Sequence, residues 1–210
     1  MLRLRPYKRC DAEKIAGWVQ DRDVYLKWGG KLIGEFPLDA ETIDRKYTQE
    51  NGSCAEPDNF YPWIAFDDEN GVVGHFIMRY LNGDKRMLRF GWVVIDSAMR
   101  GKGYGAEMLR AGLKAAFEIL GAETVSIGVF ENNTPAHACY RKVGFTDAGI
   151  TEKDPWNVIE MEITKAEWML KNGQAKPGRA GDTSCPDFFV RKNKKKIYRD
   201  GQILAPWSVI

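Results

Sequence analysis

Histidine is scarce in this chain, and the cysteines are widely spaced. His75 and His137 are the only histidines among 210 residues. A metal site of several imidazoles is therefore excluded, and a serine triad would depend on one of these two. The four cysteines include no C-x-x-C pair, which favours free thiols in a reducing compartment over disulfides or a zinc site. We expect no metal. The cysteines are Cys10, Cys54, Cys139 and Cys185.

Long apolar segments are also missing. No stretch approaches the roughly 18 apolar residues of a membrane span, and residues 1–5 lack the apolar block of a secretory signal. Apolar residues nevertheless make up 44% of the chain, enough to bury one main core. We therefore expect a globular protein that stays in the cytoplasm and does not bind membranes.

The P-loop spacing G-x-x-x-x-G-K-[ST] is absent, but another glycine-rich segment is present. Residues 100–106 read Arg-Gly-Lys-Gly-Tyr-Gly-Ala. An apolar strand pattern at residues 90–95 precedes them, and apolar residues at helical spacing follow, up to Gly121. Closely spaced glycines leave backbone amides uncovered, so N–H groups at the start of a helix can converge on an anion. The segment predicts a strand, a phosphate-binding loop and a helix.

A dinucleotide-binding loop is one interpretation of these glycines. Gly101, Gly103 and Ala106 fit G-x-G-x-x-G/A, and Glu131 ends the next predicted strand. In that motif, however, the first glycine follows the strand almost at once, whereas here residues 96–100 intervene. A nicotinamide-dependent oxidoreductase is therefore the weaker alternative.

An acyl-CoA loop fits better. Residues 100–105 resemble the R/Q-x-x-G-x-G/A motif of the GCN5-related N-acetyltransferases (GNAT superfamily), and a second segment resembles that family's N-x-x-A-x-x-x-Y-x-x-x-G-F signature. The two motifs occur in the family's order, and the resemblance covers roughly residues 1–170. The matching positions of the second motif are Asn133, Ala136, Tyr140, Gly144 and Phe145.

The fold class that the resemblance implies is α/β, with a mixed, mostly antiparallel sheet flanked by helices. Asp11 can cap the first helix, and Thr134 followed by Pro135 favours a helix start capped by the threonine hydroxyl. Residues 21–38 contain many glycines and aromatic residues and predict a long loop. The strand at 124–130 should be parallel to its predecessor, because a helix separates the two. The predicted strands are 2–6, 61–67, 72–80, 87–95, 124–130, 146–150 and 157–163. The predicted helices are 11–20, 39–48, one that follows the glycine loop and ends at Gly121, and 134–143.

The last forty residues differ in character. Residues 171–210 begin with linker-like Gly and Pro pairs, continue with a basic run at 191–196, and contain an Asp-Gly pair that favours a small hairpin at 197–204. Residues 176–210 carry a charge of +5 and the rest of the chain −3. We predict an acetyltransferase domain at 1–170 and a solvated basic extension at 171–210; contact of this tail with RNA, a ribosome or a protein partner is the alternative.

The resemblance implies transfer of the acetyl group of acetyl-CoA to a primary amine, either a small molecule or a peptide N-terminus, by a monomer or homodimer. Tyr140 would be the general acid, because a phenol with a pKa of about 10 stays protonated at neutral pH and suits a thiolate leaving group. Backbone amides of the glycine loop would hold the coenzyme's diphosphate, and the edge of the preceding strand would face its pantetheine arm. The implied coenzyme-binding residues are Val93, Val94, Ile95, Arg100, Gly101, Lys102, Gly103, Tyr104, Gly105, Ala106 and Asn133.

The usual general base of the family has no counterpart here. Many members carry a glutamate two residues before the glycine that matches Gly91, but this chain has Arg89. This departure supports a second interpretation, a non-catalytic module that binds acyl-CoA. No motif in residues 21–59, which should cover the acceptor site, identifies the amine. The remaining candidate bases are Asp96, Glu131, Glu35 and His75.

Overall fold

A mixed, mostly antiparallel sheet forms the centre of the fold. The computed structural model describes residues 1–51, 59–173 and 196–197, and within them the sheet has eight strands. The strands are β1 (Arg3–Pro6), β2 (Tyr61–Asp67), β3 (Gly71–Leu81), β4 (Asp84–Ile95), β5 (Thr124–Phe130), β6 (Thr146–Thr151), β7 (Val158–Thr164) and β8 (Lys196–Ile197). The helices are α1 (Ala12–Trp18), α2 (Arg22–Trp28), α3 (Ala40–Asn51), α4 (Tyr104–Lys114), α5 (Thr134–Val143) and α6 (Lys165–Lys171).

The strand order is β1-β2-β3-β4-β5-β7-β6-β8. The first four strands form an antiparallel meander, and Asn82 and Gly83 make the turn between β3 and β4 with left-handed φ angles of 51° and 73°. β5 lies parallel to β4, as the helical crossover requires. β7 and β6 continue the sheet in antiparallel pairing. The predicted fold class is confirmed.

Two hydrophobic cores lie on opposite faces of the sheet. One contains residues of α4, α5 and α6, and the other contains residues of α1, α2 and α3. Neighbouring residues of β3 divide between them, with Phe76 and Met78 in the first core and Ile77 in the second, as the alternation of side chains along a strand dictates. We call the side with α4, α5 and α6 the α4 face and the side with α1, α2 and α3 the α2 face.

A β-bulge in β4 interrupts this alternation. Gly91 pairs with Ile77 and Val94 with His75, so three steps along β4 correspond to two along β3. At the bulge Trp92 adopts a left-handed φ of 48° and joins the core of the α2 face. A non-glycine residue in this conformation is held there by its surroundings and often marks a functional site.

Three local predictions were wrong. The side chain of Asp11 does not cap α1, because it accepts from the Lys8 amide at 2.8 Å and pairs with Arg5 at 2.7 Å. Residues 21–38 are not one long loop, because they contain α2. Asp21 caps that helix by accepting from the amides of Asp23 and Val24, and Gly29 ends it with a φ of 89°. The cap and the terminal glycine were present in the sequence, but the glycine and aromatic content of the segment obscured them.

Another error concerns the residue that caps α5. The side chain of Asn133, rather than that of Thr134, caps this helix by accepting from the Ala136 amide at 3.4 Å. α4 also differs from a single regular helix, since it continues as a π-helical turn over Ala115–Ile119. Of the predicted tail hairpin, only Ile197 belongs to the described residues. No helix in the described ranges is long and apolar enough to cross a membrane.

Candidate active site

A cleft opens where β4 and β5 part. The two strands pair from Met87 with Thr124 to Phe90 with Ile127, but β4 continues to Ile95 and β5 to Phe130. Beyond Phe90, the edge of β4 that faces β5 has no ladder partner in the described parts of the chain. A cavity of about 650 Å³ fills this opening, and both strands line it. The backbone of β4 beyond Phe90 therefore faces the cavity along the edge that β5 leaves uncovered.

The glycine loop and the start of α4 form one wall of the cavity. Gly101 and Gly103 have φ angles of 77° and 92°, a conformation that side chains other than glycine adopt at a cost. The first backbone bond into the loop is donated by the Glu107 amide to the Gly103 carbonyl. Among the described residues, no backbone carbonyl accepts from the amides of residues 104–106. The positive end of the helix and three available N–H groups thus have the arrangement that favours binding of an anion.

The structure brings most of the predicted coenzyme residues together at this cavity, but two side chains lie outside its lining. Lys102 places its ammonium 3.8 Å from the sulfur of Met99, and the Tyr104 hydroxyl donates to Asp67 at 2.6 Å. In this arrangement neither the Lys102 side chain nor the Tyr104 side chain lines the cavity. The predicted residues that line the cavity are Val93, Val94, Ile95, Arg100, Gly101, Gly103, Gly105, Ala106, Asn133 and Tyr140.

Tyr140 projects from α5 into the same cavity. Its side chain is buried, and no described residue shares a hydrogen bond with its hydroxyl. Burial raises the pKa of Tyr140 above its ordinary value, so the phenol stays protonated at neutral pH. Its O–H is therefore available to donate to a group bound in the cavity.

Asn133 lies at the start of α5 and lines the cavity. Its Oδ1 is used in the helix cap, which fixes the orientation of the side-chain amide. The Nδ2 donors are not used in the cap. The capping role and a role in binding a ligand are thus compatible.

None of the four candidate bases lines the cavity in the described ranges. Asp96 accepts from the Ala98 amide at 2.9 Å, and Glu131 accepts from Asn157 at 3.2 Å. His75 is fully buried below the α2 face, and burial lowers its pKa to about 4. Glu35 is the fourth. At the position of the family glutamate, Arg89 forms an ion pair with Glu160 of β7 at 2.7 Å.

Residues of α2 form the other end of the cavity. They were not among the predicted site residues, because this segment was predicted to be a loop. Asp23 and Lys27 form an ion pair at 2.8 Å along the helix. Trp28 donates its indole N–H to the carbonyl of Trp92 at 2.7 Å. This hydrogen bond ties α2 to the bulge of β4, so the two sides of the cleft are mechanically connected. The α2 residues that line the cavity are Asp23, Val24, Lys27 and Trp28.

Comparison with known proteins agrees with this geometry. A family model described as an acetyltransferase (GNAT) domain matches residues 1–146. The SPbeta prophage-derived uncharacterized N-acetyltransferase YokL of Bacillus subtilis (strain 168) is 27% identical over 145 residues, which cover 66% of this chain and 78% of that protein. The family match decides between the two interpretations of the glycine loop, against the dinucleotide-binding one.

Solved structures of low sequence identity share the fold. A spermidine N-acetyltransferase from Vibrio cholerae, in complex with CoA and spermine, superposes with a TM-score of 0.65 at 20% identity, covering 80% of this chain and 98% of that chain. The aminoglycoside acetyltransferase AAC(6')-Ib, in complex with coenzyme A, gives a TM-score of 0.66 at 17% identity, covering 82% and 99%.

Proposed function

Since the chain belongs to the GNAT acetyltransferase family, we propose that it transfers the acetyl group of acetyl-CoA to a primary amine by direct attack on the thioester. The observation that carries this proposal is the meeting of three features at one cavity: free amides at the start of α4, an unpaired edge of β4, and the buried hydroxyl of Tyr140. The reaction needs an anion site, donors for an oxyanion and a proton source, and each feature meets one of these needs.

The coenzyme would lie along the wall made by β4, the glycine loop and α5. The amides of residues 104–106 and the guanidinium of Arg100 suit the diphosphate, since both favour negative charge. The backbone of residues 93–95 suits the pantetheine arm and the thioester, and the Nδ2 donors of Asn133 suit a pantetheine carbonyl. CoA bound to two proteins of this fold supports this placement.

In the chemical step, the amine nitrogen attacks the thioester carbonyl carbon. The C–N bond forms, negative charge develops on the carbonyl oxygen near the amides of β4, and the C–S bond breaks. The departing thiolate takes the proton of the Tyr140 hydroxyl, and the phenolate is reprotonated by the proton that the amine releases, through solvent. Because Arg89 replaces the usual glutamate, the amine enters neutral or loses its proton to water.

The acceptor would enter from the α2 face, where Val24 and Trp28 lie on one side and Phe130 on the other. The carboxylate of Asp23 lies there too, paired with Lys27. The two solved neighbours act on spermidine and on aminoglycosides, so amine acceptors suit this fold. For this chain we propose a primary amine, either a small molecule or a peptide N-terminus.

Replacing Tyr140 with phenylalanine tests the proposal. We expect the variant to bind CoA with the affinity of the wild type, because the ring remains, and to lose turnover by about 10²-fold, which is typical of a lost general acid. Calorimetry with CoA and an acetyl-CoA turnover screen against amines, polyamines, antibiotics and N-terminal peptides measure the two quantities.

Full turnover in Y140F would contradict the role of the phenol. A wild-type protein that binds CoA but turns over no amine would instead support the non-catalytic module, which the presence of Arg89 favours. A folded wild-type protein that does not bind CoA would refute the coenzyme site itself.

A further inference from the structure

The hydroxyl of Tyr104 connects the anion-binding loop to the β2–β3 turn. It donates to Asp67 Oδ2 at 2.6 Å and accepts from Asn70 Nδ2 at 2.8 Å. Asp67 is the last residue of β2, and Asn70 lies in the turn that leads to β3. A side chain of the first residue of α4 is therefore bound, through two hydrogen bonds, to a part of the sheet outside the cavity.

Asp67 is itself held in place. It is 7% exposed, and its Oδ1 accepts from the amides of Glu69 at 3.0 Å and Asn70 at 2.6 Å. The hydrogen bond from Tyr104, followed by those from Asn70 and Glu69, lowers the pKa of Asp67 to about 2. The carboxylate is thus charged at any working pH, and a hydrogen bond to a charged acceptor is stronger than one between neutral groups.

Tyr104 lies between two glycines of the loop, so its hydrogen bonds to Asp67 and Asn70 affect the loop backbone. Gly103 precedes it with a φ of 92°, and Gly105 follows it. Glycines provide the backbone shape but no side chain that could hold it, and they leave the loop with more conformational freedom than other residues would. An anchor between two glycines therefore limits the orientations of the amides on either side.

We propose that Tyr104 is a positioning residue for diphosphate binding: held by Asp67 and Asn70, it fixes the first turn of α4 so that the amides of residues 104–106 converge before the coenzyme arrives. The inference rests on the coenzyme site proposed above. Binding to an already ordered site avoids part of the entropy cost of ordering it. The phenol acts through the backbone, since it does not line the cavity.

Tyr80 offers a matched control at the other end of the same helical segment. Its hydroxyl donates to the carbonyl of Leu120 at 2.9 Å, so it ties the C-terminal end of that segment to β3 as Tyr104 ties the start of α4 to the β2–β3 turn. Both Y104F and Y80F remove one phenol oxygen and keep the ring. They differ in whether the lost contact lies beside the diphosphate site.

Calorimetric titration of the full chain with CoA is the test. We expect the Kd of Y104F to rise about tenfold, which corresponds to about 1.4 kcal/mol, and that of Y80F to stay within twofold of the wild type. In turnover with an accepted amine, Y104F should raise the KM for acetyl-CoA and leave kcat within twofold.

Three results would overturn the inference. The first is CoA binding by Y104F within twofold of the wild type. The second is equal weakening by Y104F and Y80F, which would indicate a general loosening of the helix. The third is a lower kcat with unchanged KM. If the wild type itself does not bind CoA, the proposed coenzyme site fails and the inference fails with it; if it binds and Y104F binds equally, only the inference fails.

Discussion

The two faces of the sheet contribute different groups to the cleft, mainly backbone on one face and side chains on the other. On the α4 face, the part of the site that we propose for the diphosphate consists of backbone: glycines with left-handed φ angles, available amides and an open strand edge. On the α2 face, the cleft consists of packed side chains. Val24 and Trp28 line the cavity there. Outside the lining, Tyr47 stacks on Trp92 with ring centroids 5.4 Å apart, and its hydroxyl lies 2.6 Å from Nε2 of buried His75.

Because of this difference, the two faces should be sensitive to different kinds of substitution. A backbone site depends on φ angles, so adding a side chain at one glycine can disable it even where there is room. A packed aromatic site depends on hydrogen bonds and volume, so it should respond to the loss of a single buried polar atom. The following predictions test that contrast.

The largest effect should come from Gly103→Val on the α4 face. A Cβ at this position meets nothing within 4 Å, so the strain comes from the φ of 92° alone. Relief of that strain turns the amides of residues 104–106 away from the diphosphate. We expect the Kd for CoA to rise at least 100-fold, about 2.7 kcal/mol, in calorimetric titration.

Gly121→Val is the matched control. Gly121 follows the π-helical turn that continues α4, has a φ of 71° and likewise has open space around a Cβ. Thermal melts should show comparable destabilisation of both variants, each on the order of 1–2 kcal/mol, while G121V keeps wild-type affinity for CoA. If G103V and G121V bind CoA with equal affinity, the coenzyme site does not depend on the backbone conformation of Gly103.

The next effect concerns the stability of the α2 face at acid pH. His75 donates from Nδ1 to the carbonyl of Trp63 at 2.9 Å, which leaves Nε2 to accept from the hydroxyl of Tyr47. The pKa of His75 is about 4 in the folded protein, below the ordinary 6.5. Between these values the unfolded state binds a proton that the folded state does not, so this contribution is complete above pH 6.5 and is lost as the pH falls towards 4.

His75→Gln keeps both hydrogen bonds and cannot titrate. We expect the wild type to lose about 2 kcal/mol more than H75Q between pH 7 and pH 5, from roughly 1.4 kcal/mol per pH unit below the unfolded pKa. Urea unfolding at several pH values measures this difference. Parallel stability curves for the two proteins would show that His75 is not buried as described.

The same contrast explains how much of the molecule the sequence could predict. The positions of the residues that we propose for the coenzyme could be predicted to lie together, because glycine spacing, a helix start and an asparagine–tyrosine signature are local patterns. The meander, the parallel β5 and the boundaries of α5 followed from periodicity and turn chemistry.

The structure of the α2 face, from which we propose that the acceptor enters, could not be predicted from local patterns. The bulge at Trp92 results from the pairing of β4 with β3, and an apolar run such as residues 90–95 does not reveal which residue is extra. Trp28 contacts Trp92 across 64 positions of sequence, and no local pattern encodes such a pair. The missed helix α2 is different, because Asp21 and Gly29 marked both of its ends.

Trp28→Phe should give the smallest effect and tests whether the two faces communicate. The variant keeps most of the ring but leaves the Trp92 carbonyl without the indole donor, which loosens the bulge that directs the edge of β4 into the cavity. We expect kcat to fall about three- to tenfold, on the order of 1 kcal/mol, with the Kd for CoA unchanged.

Trp168→Phe is the matched control, because Trp168 is equally buried at 5% exposure and its indole nitrogen has no partner among the described residues. If W168F reduces kcat as much as W28F, the loss reflects general destabilisation, and the hydrogen bond from α2 to β4 does not couple the acceptor side to the thioester.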